Sequence, residues 1–347
     1  MGNDSSLATE LAESITVRPT IFPRAGYGVL AFLMFLNALF SIFNNFLVIA
    51  VTLKNPQLRN PINIFIFNVS FSDLMMSLCG TTIVIATNYH GYFFLGRKFC
   101  IFQGFAVNYF GIVSLWSLTI LAYERYNVVC QPLGTLQMST KRGYQLLGFI
   151  WIFCLFWAVV PLFGWSSYGP EGVQTSCSIG WEERSWSNYS YLITYFLSCF
   201  FIPVTIIGFS YSNVIRSLHG LNKKVEQMGG KCNPEEEFRA VIMVLVMVVA
   251  FLICWLPYTI FALTVVFKPS LNISPLAATI PTYLSKTSPV YNPIIYIFLN
   301  KQFRDCAVEF ITCGHVVLTN PEEEEVSTSA APAERKTPSK LNRVTPV

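Results

Sequence analysis

From Leu276 the chain reads LAATIPTYLSKTSPVYNPIIYIFLN, and one charged residue, Lys286, stands in the middle of this apolar run. A charge there costs roughly 2.5–3.5 kcal/mol on membrane-insertion scales, so the lysine needs a use. Kept from water, an amine is either half of an ion pair or a nucleophile. Snorkelling is a poor third option, because Lys286 is about 21 Å from Asn300 at about 1.5 Å per helical residue. Other polar residues interrupt apolar runs in the same way: Asn45, Asp73, the neighbours Glu124 and Arg125, and Asn292. Such groups need one another or water, which requires the segments carrying them to bundle with polar groups inward.

The elements that position these residues follow from composition. Of 347 residues 53% are hydrophobic and 12% charged, and a mean hydropathy of +0.50 is that of a membrane protein. Segments of about 20 apolar residues occur near 27–52, 62–88, 99–123, 145–165, 190–214, 240–266 and 275–299. Lipid cannot satisfy an open backbone, so each is a helix and the fold class is all-α, a seven-transmembrane helix bundle. With the N-terminus outside, basic residues favour the inner loops (Lys54, Arg59, Lys141, Arg142, Lys223, Lys224) over the outer ones (Arg97, Lys98, Arg184, Lys268). No cleavable signal peptide is expected, since the polar residues 1–26 include Asp4, Glu10 and Glu13. The net charge of +4 reflects this loop bias and indicates no nucleic-acid partner.

The domain reading is an extracellular tail over 1–26, the bundle over 27–300, a short amphipathic eighth helix over 301–313 and a disordered cytoplasmic tail over 314–347. In the eighth helix Phe303, Ala307, Phe310 and Ile311 share one face, as on a helix lying along membrane lipid. Cys313 at its end is a candidate for palmitoylation, with a plain surface cysteine as the alternative. Asn3 begins a glycosylation sequon in the outer tail, while sequons at Asn188 and Asn272 lie at loop ends. Most cysteines fall in apolar segments, but Cys100 and Cys177 lie in predicted outer regions where oxidation is possible, and they are expected to pair rather than remain free thiols. The charged loop RSLHGLNKKVEQMGGKCNPEEEFR offers a surface to a cytoplasmic partner.

Taken with CWLPY at 254–258 and NPIIY at 292–296, these polar positions make the chain resemble the rhodopsin-like G-protein-coupled receptors over about residues 27–313. The resemblance implies a cytoplasmic switch from Glu124, Arg125 and Tyr126, with Glu237 as an opposing partner and Asn292, Pro293 and Tyr296 on the seventh helix. Trp255, two residues before Pro257, sits where a proline kink can be driven from above.

Lys286, six residues before Asn292-Pro293, stands where opsins attach retinal as a Schiff base. The implied cofactor is therefore retinal, 11-cis in the dark state, and a desolvated amine suits attack on its aldehyde. Vertebrate visual opsins hold a glutamate counterion at the position of Gln103, which is neutral here. Glu171, six before Cys177, matches the loop glutamate that many invertebrate and non-visual opsins use; Glu182 and Glu183 remain as alternatives. Gly111, Trp255 and Tyr258, with Gln103, would bound the chromophore pocket, with Trp165 nearby. The pattern is closest to vertebrate non-visual opsins of the pineal and parietal-eye, parietopsin-like group. It implies a light-activated receptor, not an enzyme, in the plasma membrane or a photoreceptor outer-segment membrane. Expected partners are a heterotrimeric G protein of the Gi, Go or transducin type, with arrestin and a receptor kinase acting at the tail. Alternatives are a retinal photoisomerase of the same family and a receptor for a diffusible ligand. The histidines, His90, His219 and His315, have no metal-ligand spacing, and no catalytic triad is apparent.

Overall fold

The computed structural model describes residues 21–130, 138–225, 234–268, 270 and 273–313, without the side chains of 218–225 and 234–237. Asn3, Asn272, the tail beyond 313 and the side chain of Glu237 lie outside the described residues.

Among the described residues six helices are long and apolar enough to cross a membrane: Arg24–Lys54, Pro61–His90, Gly96–Cys130, Thr140–Phe163, Trp186–Ser217 and Phe238–Phe267. On the first, Phe32, Phe35, Leu39, Phe43 and Phe46 are each more than half exposed, while Asn37, Ser41, Asn45 and Val48 are buried. Spacings of three and four residues separate a lipid-facing stripe from a polar inner one. The third helix is the axis of the bundle and the most buried of the six. The second and fifth each contain a π turn, at Ser77–Thr81 and Leu197–Phe201. Pro257 lies inside the sixth.

The seventh span departs from the expected single helix over 275–299. It is two helices, Pro275–Ser285 and Ser288–Leu299, and the break falls at Lys286 and Thr287. Proline has no N–H to give the ladder, and Pro289 and Pro293 follow within a short distance. Asn37 Nδ2 donates to the carbonyl oxygen of Lys286 at 2.9 Å, and Asn45 Nδ2 to that of Pro289 at 2.8 Å.

Between the fourth and fifth helices lies a two-stranded antiparallel hairpin, β1 (Tyr168–Glu171) and β2 (Ser176–Ile179), pairing Glu171 with Ser176. A disulfide between Cys100 and Cys177 ties β2 to the third helix. The hairpin's turn is clamped between helices: Tyr27 donates to the Val173 carbonyl at 3.1 Å, and Val173 N–H donates to Thr279 Oγ1 at 3.0 Å. Gly172, at φ +57°, fits here because a Cβ would come within 2.5 Å of Thr279 Oγ1.

After the break at Asn300 a helix runs Lys301–Ile311. Phe303 and Ala307 on it are buried, Phe303 against the Tyr296 ring at 4.4 Å, while Ile311 and Cys313 are exposed.

Candidate functional site

Lys286 reaches its place through the break in the seventh span, and Glu171 through the hairpin clamped above it. Lys286 Nζ stands 3.3 Å from Glu171 Oε1, with side chains 2% and 9% exposed. The amine also donates to the carbonyl of Thr282 at 3.4 Å. Glu171 is held from two other sides: Ser176 donates to Oε1 at 3.1 Å and Tyr258 to Oε2 at 3.0 Å. The Tyr258 hydroxyl in turn accepts from Trp181 Nε1 at 2.8 Å. Buried charges require this kind of pairing and hydrogen bonding. Glu182 and Glu183 are exposed, and Glu183 accepts from Ser167 and Ser185.

The pair lines a cavity inside the bundle. Gly104, Asn108, Gly111 and Leu115 line it from the third helix, Tyr195, Phe196 and Phe200 from the fifth region, and Phe251, Trp255, Tyr258 and Thr259 from the sixth. Ile179 and Trp181 complete it from the loop side. Among the lining residues Lys286 and Glu171 are the only charges. Gly111 is a cradle for the Trp255 indole: a Cβ there would lie 2.8 Å from the ring. That indole donates to Ser288 Oγ at 2.9 Å and stacks on Phe251 at 5.7 Å.

Gln103 is fully buried but is not among the lining residues: its Oε1 accepts from Cys177 N–H at 2.7 Å, so the carboxamide braces the loop. Trp165 also lies off the cavity, packing on Trp157 and Tyr191 and donating to Ser190. The Asn188 sequon cannot accept a glycan in this fold, since Asn188 is fully buried and its Nδ2 donates to the carbonyls of Gly180 and Glu183.

At the other end of the third helix Arg125 donates to Glu124 Oε2 from Nε at 2.8 Å and from Nη2 at 2.5 Å, both residues being buried. The Tyr126 ring lies against Phe209 at 5.4 Å. Between this pair and the cavity, Asp73 accepts from Ser114 at 2.9 Å and from Asn292 at 3.0 Å. Tyr296 donates to Asn63 at 2.9 Å. Asp73 and Asn292 thus meet across helices, and Asn45 reaches the Pro289 carbonyl on the seventh span, as the bundling argument requires. No cluster able to hold a metal ion occurs among the described residues.

Seven spans thus enclose an inward polar core, with a buried lysine facing a loop carboxylate. Residues 44–296 match the family model of the 7 transmembrane receptor (rhodopsin family). Opsin-VA of Rutilus rutilus is 42% identical over 84% of this chain and 76% of its own. Pinopsin of Columba livia is 41% identical over 93% and 91%, and parapinopsin of Ictalurus punctatus 43% over 86% and 86%. The crystal structure of squid rhodopsin superposes with a TM-score of 0.79 at 29% identity, covering 92% of this chain and 97% of that one. The chain belongs to the rhodopsin family of seven-transmembrane receptors, and within it to the non-visual opsins. It is a multi-pass membrane protein and a light-activated, G-protein-coupled receptor, not an enzyme.

Proposed function

We propose that Lys286 holds retinal as a protonated Schiff base, 11-cis in the dark, and that Glu171 is the counterion. The observation that carries this reading is the 3.3 Å approach of Lys286 Nζ to Glu171 Oε1 in the wall of an aromatic cavity with no other charge in its lining. A slender apolar ligand with one reactive carbonyl fits such a site: one amine to attach it, one carboxylate to balance the resulting cation, and aromatic walls elsewhere. Bound there, retinal supplies absorption of visible light and photoisomerisation.

The protein's part is to orient and to respond. Ser176 and Tyr258 fix the carboxylate, and Gly111, Trp255 and Tyr258 shape the pocket. Gln103 supports the lid by accepting from the Cys177 N–H. Trp255, two residues before Pro257, converts pressure from the cavity into bending of the sixth helix. Arg125, paired with Glu124 and opposed by Glu237, is the latch released when that helix moves, with Tyr126, Asn292, Pro293 and Tyr296 completing the switch.

The same reading puts the N-terminal tail (1–26) outside, the bundle at 27–300, the surface helix at 301–313 and the tail (314–347) in the cytoplasm. The membrane is the plasma or photoreceptor outer-segment membrane, the G protein of the Gi, Go or transducin type, and arrestin and a receptor kinase act at the tail. Asn3 carries a glycan and Cys313 a palmitoyl group.

The test is to reconstitute the purified chain with 11-cis-retinal, record its spectrum before and after illumination, and measure light-dependent nucleotide exchange on purified G proteins. A visible band with light-driven exchange supports the reading. A visible band with photoisomerisation but no exchange favours the photoisomerase, and no band at all removes the chromophore assignment.

A further inference from the structure

Next to the Lys286 and Glu171 pair, the hairpin turn is joined to two helices by a set of hydrogen bonds that the mechanism above does not use. Asn88 Nδ2 donates to the Tyr283 hydroxyl oxygen at 2.6 Å, and Thr175 Oγ1 donates to Asn88 Oδ1 at 3.0 Å. Thr175 Oγ1 and the Tyr283 hydroxyl are 3.0 Å apart. Each hydroxyl has one proton. That of Thr175 is committed to Asn88, so the proton between Thr175 and Tyr283 belongs to Tyr283. The three side chains therefore form a closed cycle with one direction, Asn88 to Tyr283 to Thr175 and back to Asn88. Asn88 and Thr175 are fully buried and Tyr283 nearly so. Thr175 is anchored again through its carbonyl, which accepts from Thr87 at 2.6 Å.

The cycle's position gives it a role. Tyr283 is three residues before Lys286, and its ring centroid lies 5.9 Å from Lys286 Nζ. Thr175 precedes Ser176, which holds the Glu171 carboxylate. One cycle thus joins the segment that carries the amine to the turn that carries its acid, with the second helix as the third corner.

We infer that Tyr283 is a positioning residue for the Lys286 and Glu171 pair, acting through the cycle with Asn88 and Thr175 to keep the loop carboxylate seated against the amine and water excluded from it. The inference rests on the proposed retinal attachment at Lys286, and its test separates the two.

In the retinal-free protein, Tyr283→Phe keeps the ring and removes the hydroxyl. Hydrogen exchange of the backbone over 168–179 should then accelerate about tenfold, the change in open population expected from losing roughly one buried hydrogen bond. Exchange in the third and sixth helices should be unchanged. Thr175→Val, which keeps side-chain shape, should give the same local effect, and the double variant should be no faster than either single one, because each opens the same cycle. In the retinal-loaded protein, both variants should raise the dark rate of bleaching by hydroxylamine by a similar factor. Uniform acceleration of exchange across the bundle, or additive effects in the double variant, would overturn the positioning role. So would unchanged exchange in both variants. If the unaltered protein binds no retinal covalently while the exchange results hold, the chromophore assignment fails and the cycle's role in seating Glu171 stands.

Discussion

The Lys286 amine and the Glu171 carboxylate are separated by 115 residues of sequence and by 3.3 Å of space. One belongs to a break in a transmembrane span and the other to the end of a loop strand, so neither position is set by local helix geometry. The disulfide at Cys177 and the clamp at Val173 bring the strand down, and the break turns the lysine toward it.

Glu171→Gln is expected to move the retinal-bound absorption at neutral pH from the visible toward the ultraviolet, because the imine is left as an uncompensated buried cation and gives up its proton. A pH titration of the dark spectrum measures this. A visible band that persists through neutral pH in this variant, but is lost on replacing Glu182 or Glu183, would move the counterion elsewhere on the loop.

Lys286→Ala should abolish covalent attachment, since no other lysine is among the residues that line the cavity. Acid-trapping followed by mass measurement of the chain reads the outcome. Retained covalent chromophore would sink the assignment.

Arg125→Gln should reduce light-driven nucleotide exchange at least tenfold, about the loss of one charge-assisted interaction, while leaving the absorption band in place. The latch is about 21 Å along the third helix from Gly111 at about 1.5 Å per residue, too far to perturb the polyene directly. A spectral shift comparable to that of a pocket variant would mean that one of the two sites is misplaced.

Gly111→Ala should lower thermal stability of the pigment by about 1–3 kcal/mol, the usual cost of overpacking, because the new methyl would meet the Trp255 ring at 2.8 Å. Unfolding midpoints with and without retinal check it. Combining the change with Trp255→Phe should recover part of the loss, since the smaller ring yields the space.

The spans were legible because membrane insertion imposes a length and a hydropathy that survive in any sequence able to cross. Lys286 was legible for the converse reason: it violates that pattern. Glu171 emerged from a resemblance and from how few outer carboxylates remain, and its distance to the amine agrees with that reading without testing the charge it carries. The break at Lys286 and Thr287 was not legible, since hydropathy averages over 20 residues and cannot register a missing turn. Gln103 was read by position as pocket-facing, but its rotamer is set by the Cys177 N–H, a partner 74 residues away. The cycle of Asn88, Thr175 and Tyr283 has no local signature at all, because each member alone is an ordinary polar residue, two near helix ends and one in a hairpin turn.

The first helix contributes nothing to the cavity lining, yet two of its asparagines, Asn37 and Asn45, bind the carbonyls of Lys286 and Pro289. Pro293 has no N–H for the carbonyl four residues before it, which is that of Pro289. Val290 N–H, which an unbroken helix would send to Lys286, goes to Thr287 instead. Asn37 and Asn45 therefore supply, from a neighbouring helix, the two donors that the broken span lacks, and act as a splint across the fracture. An engineered first helix of equal length and hydropathy but without these two amides would still insert and still pack. It would leave the lysine on a joint free to hinge, so that the sharpness of the absorption band, and not the presence of the pigment, would report the loss.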